Sequence, residues 1–239
     1  MRYELYYWPE IQGRGEFVRL ALEDSDAGYI DVGRLPKRGM AAMMGLMESR
    51  SIVHPPFAPP FLKAGKLVIA QTANILLFLG PRLRLVPKDE VSRLWAHQLQ
   101  LTIADWVGEV HDTHHPISGG LYYEEQKREA KQRAADFRDN RLPKFLDYFE
   151  RILKRTPKRS DYLLGKAVSY VDLSTFQMIA GLRYAFPRTM TKLQPKYPRL
   201  VALYDSVSAR PRLAAYLSSP RRLPFNQEGI FRHYPELDG

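Results

Sequence analysis

Cysteine is absent from all 239 residues. This excludes disulfides, thiolate metal ligands and a cysteine nucleophile together. Any thiol chemistry must therefore use a thiol carried in by a ligand. Long apolar runs are missing as well. Hydrophobic residues make up 45% of the chain, yet no stretch approaches the ~20 residues of a membrane span. The opening MRYELYYWPE lacks the apolar core of a signal peptide. The expectation is a soluble cytoplasmic protein with no membrane partner. Phosphate loops are wanting too: GPRLRL does not match a P-loop, and GRGEF lacks the remaining glycine of a dinucleotide fingerprint. No nucleophilic serine motif, zinc finger, RRM-like or helix-turn-helix signature occurs, so no nucleic-acid partner is expected.

What the chain does have is positive charge, +10 in all. It is spread along the sequence: residues 1–84 hold 11 Lys/Arg against 8 Asp/Glu, and the remainder holds 25 against 18. The densest cluster, RILKRTPKR (151–159), follows a helical pattern and contains Pro157, which reads as a solvated helix end and loop.

Tyr3–Tyr7 is short and aromatic, which suits a strand. From Glu16 the residues Phe17, Val18, Ala21 and Leu22 turn the pattern helical. Tyr29–Val32 is a second short strand. Residues 33–56, with many Met, Gly and Pro, read as irregular. FLKAGKLVIA reads as a hairpin about Ala64-Gly65, and QTANILLFLG as a helix that stops at Gly80-Pro81. After the linker PRLRLVPKD (81–89) helical patterns dominate, over about 88–115, 124–154, 170–185, 197–208 and 211–218. The organisation is a small α/β unit, 1–84, followed by an all-helical unit, 88–239.

Four local signals narrow this organisation to one family. YYWPEIQGRGEFVR places Tyr7-Trp8 at the end of a strand and Gly13-Arg14 at the start of a helix. APPFLKAGKLVIAQT holds Pro60 eleven residues before Gln71-Thr72. GKAVSYVDL contains Ser169-x-x-Asp172, a capping box with Asp in place of Glu, flanked by Val168 and Leu173 as a hydrophobic staple. LTIADWVGEVHDTHHP carries Asp105 on a helix. Together they resemble the cytosolic glutathione S-transferases, especially the tyrosine-type classes (alpha, mu, pi, sigma), over nearly the whole chain.

The resemblance implies an α/β thioredoxin-like N-terminal domain plus an all-α C-terminal helical domain. It also implies a homodimer. Glutathione would be the co-substrate, an apolar electrophile the acceptor, and no metal is implied. Glutathione's thiol titrates near free cysteine, about 8.5, so it is mostly protonated at neutral pH. A phenol donating to sulfur favours the thiolate, and lowering the thiol pKa by roughly two units corresponds to about 2.7 kcal/mol. The resemblance gives that role to Tyr7, with Tyr6 as the rival one step earlier on the opposite face. Arg14 is structural in the family.

The free N–H groups at the start of a helix suit the γ-glutamyl carboxylate, with Gln71 and Thr72 adding side-chain contacts. Pro60 is the expected cis-proline. The preceding residue pairs its backbone with the cysteinyl part of glutathione, but here it is Pro59, which has no N–H. One hydrogen bond, worth about 1 kcal/mol net, is thereby lost. Lys37 or Arg38 would reach the glycyl carboxylate. Asp105 would reach across a twofold axis to the partner's glutathione. Trp8, Ile11, Gln12, Ile103, Trp106 and His115 are candidates for the apolar acceptor pocket, each also compatible with plain core packing. His111 and His115 have a metal-ligand spacing, i and i+4, but lack an intervening Glu and a third ligand.

Asp172 reads as a folding element, not a catalyst. The tail aromatics Phe225 and Phe231 either cover the site or dock on the second domain. The expected reaction is attack of the glutathione thiolate on an electrophilic carbon. The alternatives are a glutathione-dependent isomerase or peroxidase on the same site, or a catalytically weak binding protein of this family.

Overall fold

The computed structural model describes residues 2–156 and 160–239. The end of the basic cluster at 157–159 therefore lies outside the described residues. The first unit runs β1 (Tyr3–Tyr6), α1 (Gly15–Asp24), β2 (Tyr29–Asp31), α2 (Gly39–Met47), β3 (Phe61–Ala64), β4 (Leu67–Ala70) and α3 (Thr72–Arg82). Its sheet has the order β2-β1-β3-β4, with β1 and β2 parallel and the β1–β3 and β3–β4 pairs antiparallel. Strand alternation divides the core into two layers. Tyr3, Leu5, Leu62 and Ala64 pack with Val18 and Leu22 of α1 and with Ile75 and Leu79 of α3. Tyr6 and Phe61 face the opposite way, onto Val32 and Met43.

Two readings of this unit are corrected. The stretch 33–56 is not wholly irregular, because Gly39–Met47 is helical. Its Ala, Met and Leu residues are good helix formers, while two glycines and a weak polar–apolar alternation hide the pattern. Helix α3 also runs past Gly80-Pro81 to Arg82. Proline removes one hydrogen bond there, but Leu83 N–H still reaches the Leu79 carbonyl at 2.8 Å and closes the last turn.

The second unit comprises α4 (Glu90–Asp112), α5 (Lys127–Asp136), α6 (Leu142–Arg155), α7 (Tyr170–Ala185), α8 (Pro187–Leu193), α9 (Pro198–Ser208) and α10 (Pro211–Leu217). The single helix expected over 124–154 is broken by a π-turn at Phe137–Arg141. Helix α8 was not anticipated; it is short and starts on a proline. On α4, Leu99, Ile103, Trp106 and Val110 form an inward stripe at helical spacing. Helix α7 is buried along nearly its whole length. Its start is the expected box: Ser169 accepts from the Asp172 N–H, while Asp172 accepts from Ser169 N–H (2.7 Å), Ser169 Oγ (2.6 Å) and Leu163 N–H (2.7 Å). Among the described residues no helix is long and apolar enough to cross a membrane.

Helix α1 joins the two units, packing on α3, α7 and α10. All ten of its residues are buried, including Glu16, Arg19, Glu23 and Asp24. Buried charges need partners. Arg19 bonds Asp31 at 2.7 Å, Arg221 bonds Glu23 at 2.7 Å, and Arg210 bonds Asp24 at 2.5 Å. The C-terminal segment thus supplies two of these partners. The tail beyond α10 docks on the helical unit: Phe231 is buried, and Phe225 stacks on Tyr184 at 5.0 Å. It also reaches back to the first unit, where Asn226 donates to the Glu10 carbonyl and Arg34 to the Arg221 carbonyl.

Candidate functional site

Tyr7 follows the last residue of β1 and is buried. Its hydroxyl oxygen accepts the Arg14 backbone N–H at 2.8 Å. The local sequence leaves room for this. Gly13 has φ +45°, a left-handed conformation suited to glycine, and a Cβ there would stand 2.1 Å from the Tyr7 oxygen. Gly15, which opens α1, lies under the same ring. Burial raises the phenol's pKa, and the Arg14 N–H with the charges of Arg14 and Arg19 lowers it in part. The phenol keeps its proton at neutral pH. Because the oxygen's known partner is a donor, that proton is free for an acceptor. Tyr6 is differently committed: its ring stacks on Phe61 at 4.6 Å and its hydroxyl donates to Glu4 at 2.7 Å.

Beside this loop a cavity of about 360 Å³ lies between α1, the start of α3, and α4. Arg14, Gln71, Thr72, His97, Gln100 and Ile103 line it. Gln71 sits at φ +69°, a left-handed conformation that a non-glycine rarely adopts. Its side chain is exposed and makes no cap hydrogen bond. Among the described residues, no side chain accepts from the first N–H groups of α3. Thr72 Oγ1 reaches the Arg14 carbonyl at 3.4 Å, so the two loops touch. The Pro59-Pro60 peptide is cis and leads into β3.

The remaining candidates are spread around this centre. Lys37 is exposed, with φ +64°, just before α2. Asp105 is exposed on the outer face of α4. Trp8 is exposed and Ile11 half-buried in the β1–α1 loop. His115 is half-buried just past α4.

Two pocket candidates are corrected. Trp106 is fully buried and stacks on Phe145 (5.1 Å) and Phe149 (5.8 Å), because the inward stripe of α4 turns it into the helical core. Gln12 is buried with its amide fully engaged. It donates to the Leu223 carbonyl and accepts from Gln177 at 2.7 Å, so it faces the second unit and not an open cleft.

The histidine cluster is a hydrogen-bonded unit. His114 Nε2 lies 2.8 Å from the Ile230 carbonyl, and its Nδ1 meets Nδ1 of His115. The carbonyl assigns the proton on His114 to Nε2, which makes His115 the donor between the rings. Burial, with Arg232 and the neighbouring imidazoles, pushes His114 down to about 2 and His115 down to about 4. Among the described residues no group of three His, Asp or Glu side chains is placed to hold a metal ion.

Sequence reasoning missed the backbone role of Arg14, whose N–H and carbonyl link Tyr7 to Thr72. It also missed His97 and Gln100 as cavity residues. Their one available signal is helical spacing with Ile103 and Ala104 on α4.

A thioredoxin-like sheet unit followed by a helical bundle, with a tyrosine at the end of β1 and a cis-proline before β3, is the glutathione transferase fold. The family model for the glutathione S-transferase C-terminal domain matches residues 111–220. A glutathione S-transferase of Plasmodium falciparum is 23% identical over 223 residues, covering 90% of this chain and 94% of that protein. The structure of the Onchocerca volvulus pi-class glutathione S-transferase superposes with a TM-score of 0.73 at 23% identity, over 96% of this chain and 99% of that one. A structure titled prostaglandin synthase D of Nilaparvata lugens superposes with a TM-score of 0.71 at 17% identity, over 94% and 100%. The chain is similar over nearly its whole length to cytosolic glutathione S-transferases, and residues 111–220 match the C-terminal domain of that family.

Proposed function

We propose that this protein is a glutathione transferase that conjugates the glutathione thiolate to apolar electrophiles. The observation that carries this reading is the Tyr7 hydroxyl, which accepts the Arg14 N–H and keeps its own proton, while Arg14 itself lines the Gln71–Thr72 cavity. In this reading the 1–84 unit holds glutathione. Tyr7 donates to the sulfur, and the amides at the start of α3 with Gln71 and Thr72 take the γ-glutamyl carboxylate. The Pro59-Pro60 backbone aligns the cysteinyl part through the Pro59 carbonyl alone. Lys37 faces the glycyl carboxylate. The 88–239 unit contributes Ile103 and His115 to the acceptor side, opposite Trp8 and Ile11. Catalysis comes from thiolate stabilisation and proximity.

The working unit is a homodimer in the cytoplasm, with Asp105 of each chain serving the other chain's glutathione. Its support is the outer face of α4, where Val91, Leu94 and Leu101 are exposed apolar residues, and Phe57, which is 91% exposed. Isolated large apolar side chains at such exposure mark contact surfaces when they cluster.

Calorimetric titration with glutathione at neutral pH, followed by turnover of an activated aryl halide, tests the proposal. Binding near one ligand per chain with conjugate formation supports it. Absence of binding into the tens of millimolar defeats it. A glutathione-dependent isomerase is the second reading, favoured by the likeness to the structure titled prostaglandin synthase D. Product analysis with an endoperoxide in place of the halide separates the two.

A further inference from the structure

We propose that Gln177 and Arg222, acting through Gln12, are positioning residues for Tyr7. They anchor the loop whose Arg14 N–H directs the phenol proton. This inference rests on the assignment of Tyr7 as the donor to sulfur.

The connection is a continuous buried chain of polar contacts. Gln12 lies two residues before Arg14, and every polar atom of its side chain is used. Nε2 donates to the Leu223 carbonyl, and Oε1 accepts from Gln177 Nε2 at 2.7 Å. Its own carbonyl accepts from Arg19 Nη1 at 3.2 Å and from the Glu16 N–H at 3.0 Å. Gln177 in turn accepts from Arg222 Nη2 at 3.2 Å. Arg222 Nη1 stands 3.8 Å from Glu16. Glu16 also accepts from the Tyr216 hydroxyl at 3.0 Å and from Arg19 at 3.4 Å. Gln12, Glu16, Arg19, Gln177 and Tyr216 are all buried.

Two carboxylates, Glu16 and Asp31, stand against the guanidinium groups of Arg19 and Arg222, with Arg34 at the edge, 4.0 Å from Asp31. Without Arg222, Glu16 keeps only the Arg19 that it already shares with Asp31, and Gln177 loses the donor that orients its amide. A misoriented Gln177 amide turns its oxygen towards that of Gln12 and breaks their contact. The loop from Gln12 to Arg14 then loses its fixed approach to the Tyr7 oxygen. The tail is therefore more than a cover for α7, because it sets the geometry of an atom pair in the other unit.

The test uses the full chain. The thiol pKa of bound glutathione is read from thiolate absorbance against pH, with thermal melting in parallel. Arg222→Gln and Gln177→Leu are expected to raise that pKa by about one unit, equivalent to a tenfold loss of thiolate below it. Arg222→Lys is expected to restore part of the shift. Arg221→Gln, which removes a neighbouring contact to Glu23 outside the chain of bonds, is expected to leave it unchanged. A thiol pKa that stays constant while the melting temperature falls overturns the proposal, since the tail would then be only a clamp.

Hydrogen exchange of the Arg14 amide is a second readout that needs no ligand. Its protection is expected to fall about tenfold in Arg222→Gln, and undiminished protection overturns the proposal. If the wild type binds no glutathione, the functional reading fails, and the exchange measurement still decides the coupling.

Discussion

Tyr7→Phe removes one oxygen and leaves the ring in its cleft over Gly13 and Gly15. That oxygen receives the Arg14 N–H at 2.8 Å, and in the proposed function it offers a proton to sulfur. A hydrogen bond to a charged acceptor contributes about 1.5–3 kcal/mol. At 1.36 kcal/mol per unit, its loss raises the bound thiol pKa by about one to two units. If the intact site holds the thiol near 6.5, roughly two units below a free thiol, the variant titrates near 8. At pH 6.5 the thiolate fraction then falls from about half to between about 9 and 1 per cent, and kcat/KM with an aryl halide drops roughly 5- to 50-fold. By pH 9 both proteins hold thiolate and the rates converge. Tyr6→Phe serves as the control, since that hydroxyl is bound to Glu4, and its pH profile should match the wild type. Two results refute the reasoning: less than a twofold loss at pH 6.5, or an equal loss at every pH with the thiol pKa unmoved.

Three further outcomes are expected. Asp172→Asn weakens the box that opens α7, where the carboxylate accepts from three buried donors. Urea unfolding should show a loss of about 2–4 kcal/mol, and a loss under 1 kcal/mol would remove Asp172 from its capping role. His114 is held neutral in the folded chain, down to about 2, whereas an unfolded imidazole takes up its proton near 6.5. Protons therefore bind preferentially to the unfolded chain below that value. The stability is complete above about pH 6.5 and is lost on acidification at about 1.4 kcal/mol per pH unit. Melts at pH 7.5 and 5.5 should show at least this slope, since His115, pushed down to about 4, adds to it, and His114→Asn should reduce it. Leu101→Glu, on the exposed face of α4, should shift the sedimentation coefficient from dimer to monomer; an unchanged dimer would move the contact surface elsewhere.

The readable parts of this chain were those where local geometry is set within a short stretch of sequence. Tyr7 with Gly13, Pro60 with Gln71, and Ser169 with Asp172 are each set by a turn or a cap, so their spacing is visible without any tertiary contact. Helix α2 was obscured by its glycines, and α8 by its brevity. The π-turn at Phe137–Arg141 leaves no mark on residue periodicity that separates it from continuous helix. Trp106 and Gln12 were misplaced for a common reason. The direction of a side chain on α4, or in the β1–α1 loop, is fixed by partners from distant parts of the chain. For Trp106 these are Phe145 and Phe149. For Gln12 they are Gln177 and Leu223, 165 and 211 positions away.

Helix α1 gives that distance a physical meaning. A helix buried on all sides would be cheapest with apolar residues, yet this one carries Glu16, Glu23 and Asp24 into the interior. Each carboxylate meets a guanidinium from the last 30 residues: Arg222, Arg221 and Arg210 respectively. Buried ion pairs are weak contributors to stability, because desolvation offsets most of the attraction. They are stringent about register, since a helix rotated by one residue would leave three carboxylates unpaired at several kcal/mol each. The register of α1 in turn fixes its first residues, and the Arg14 N–H that meets Tyr7 stands one residue before the helix begins. Arg221 and Arg210 thus hold α1 at its far end, while Arg222, which meets Glu16 in the first turn, is the one arginine of the three placed next to the Arg14 N–H.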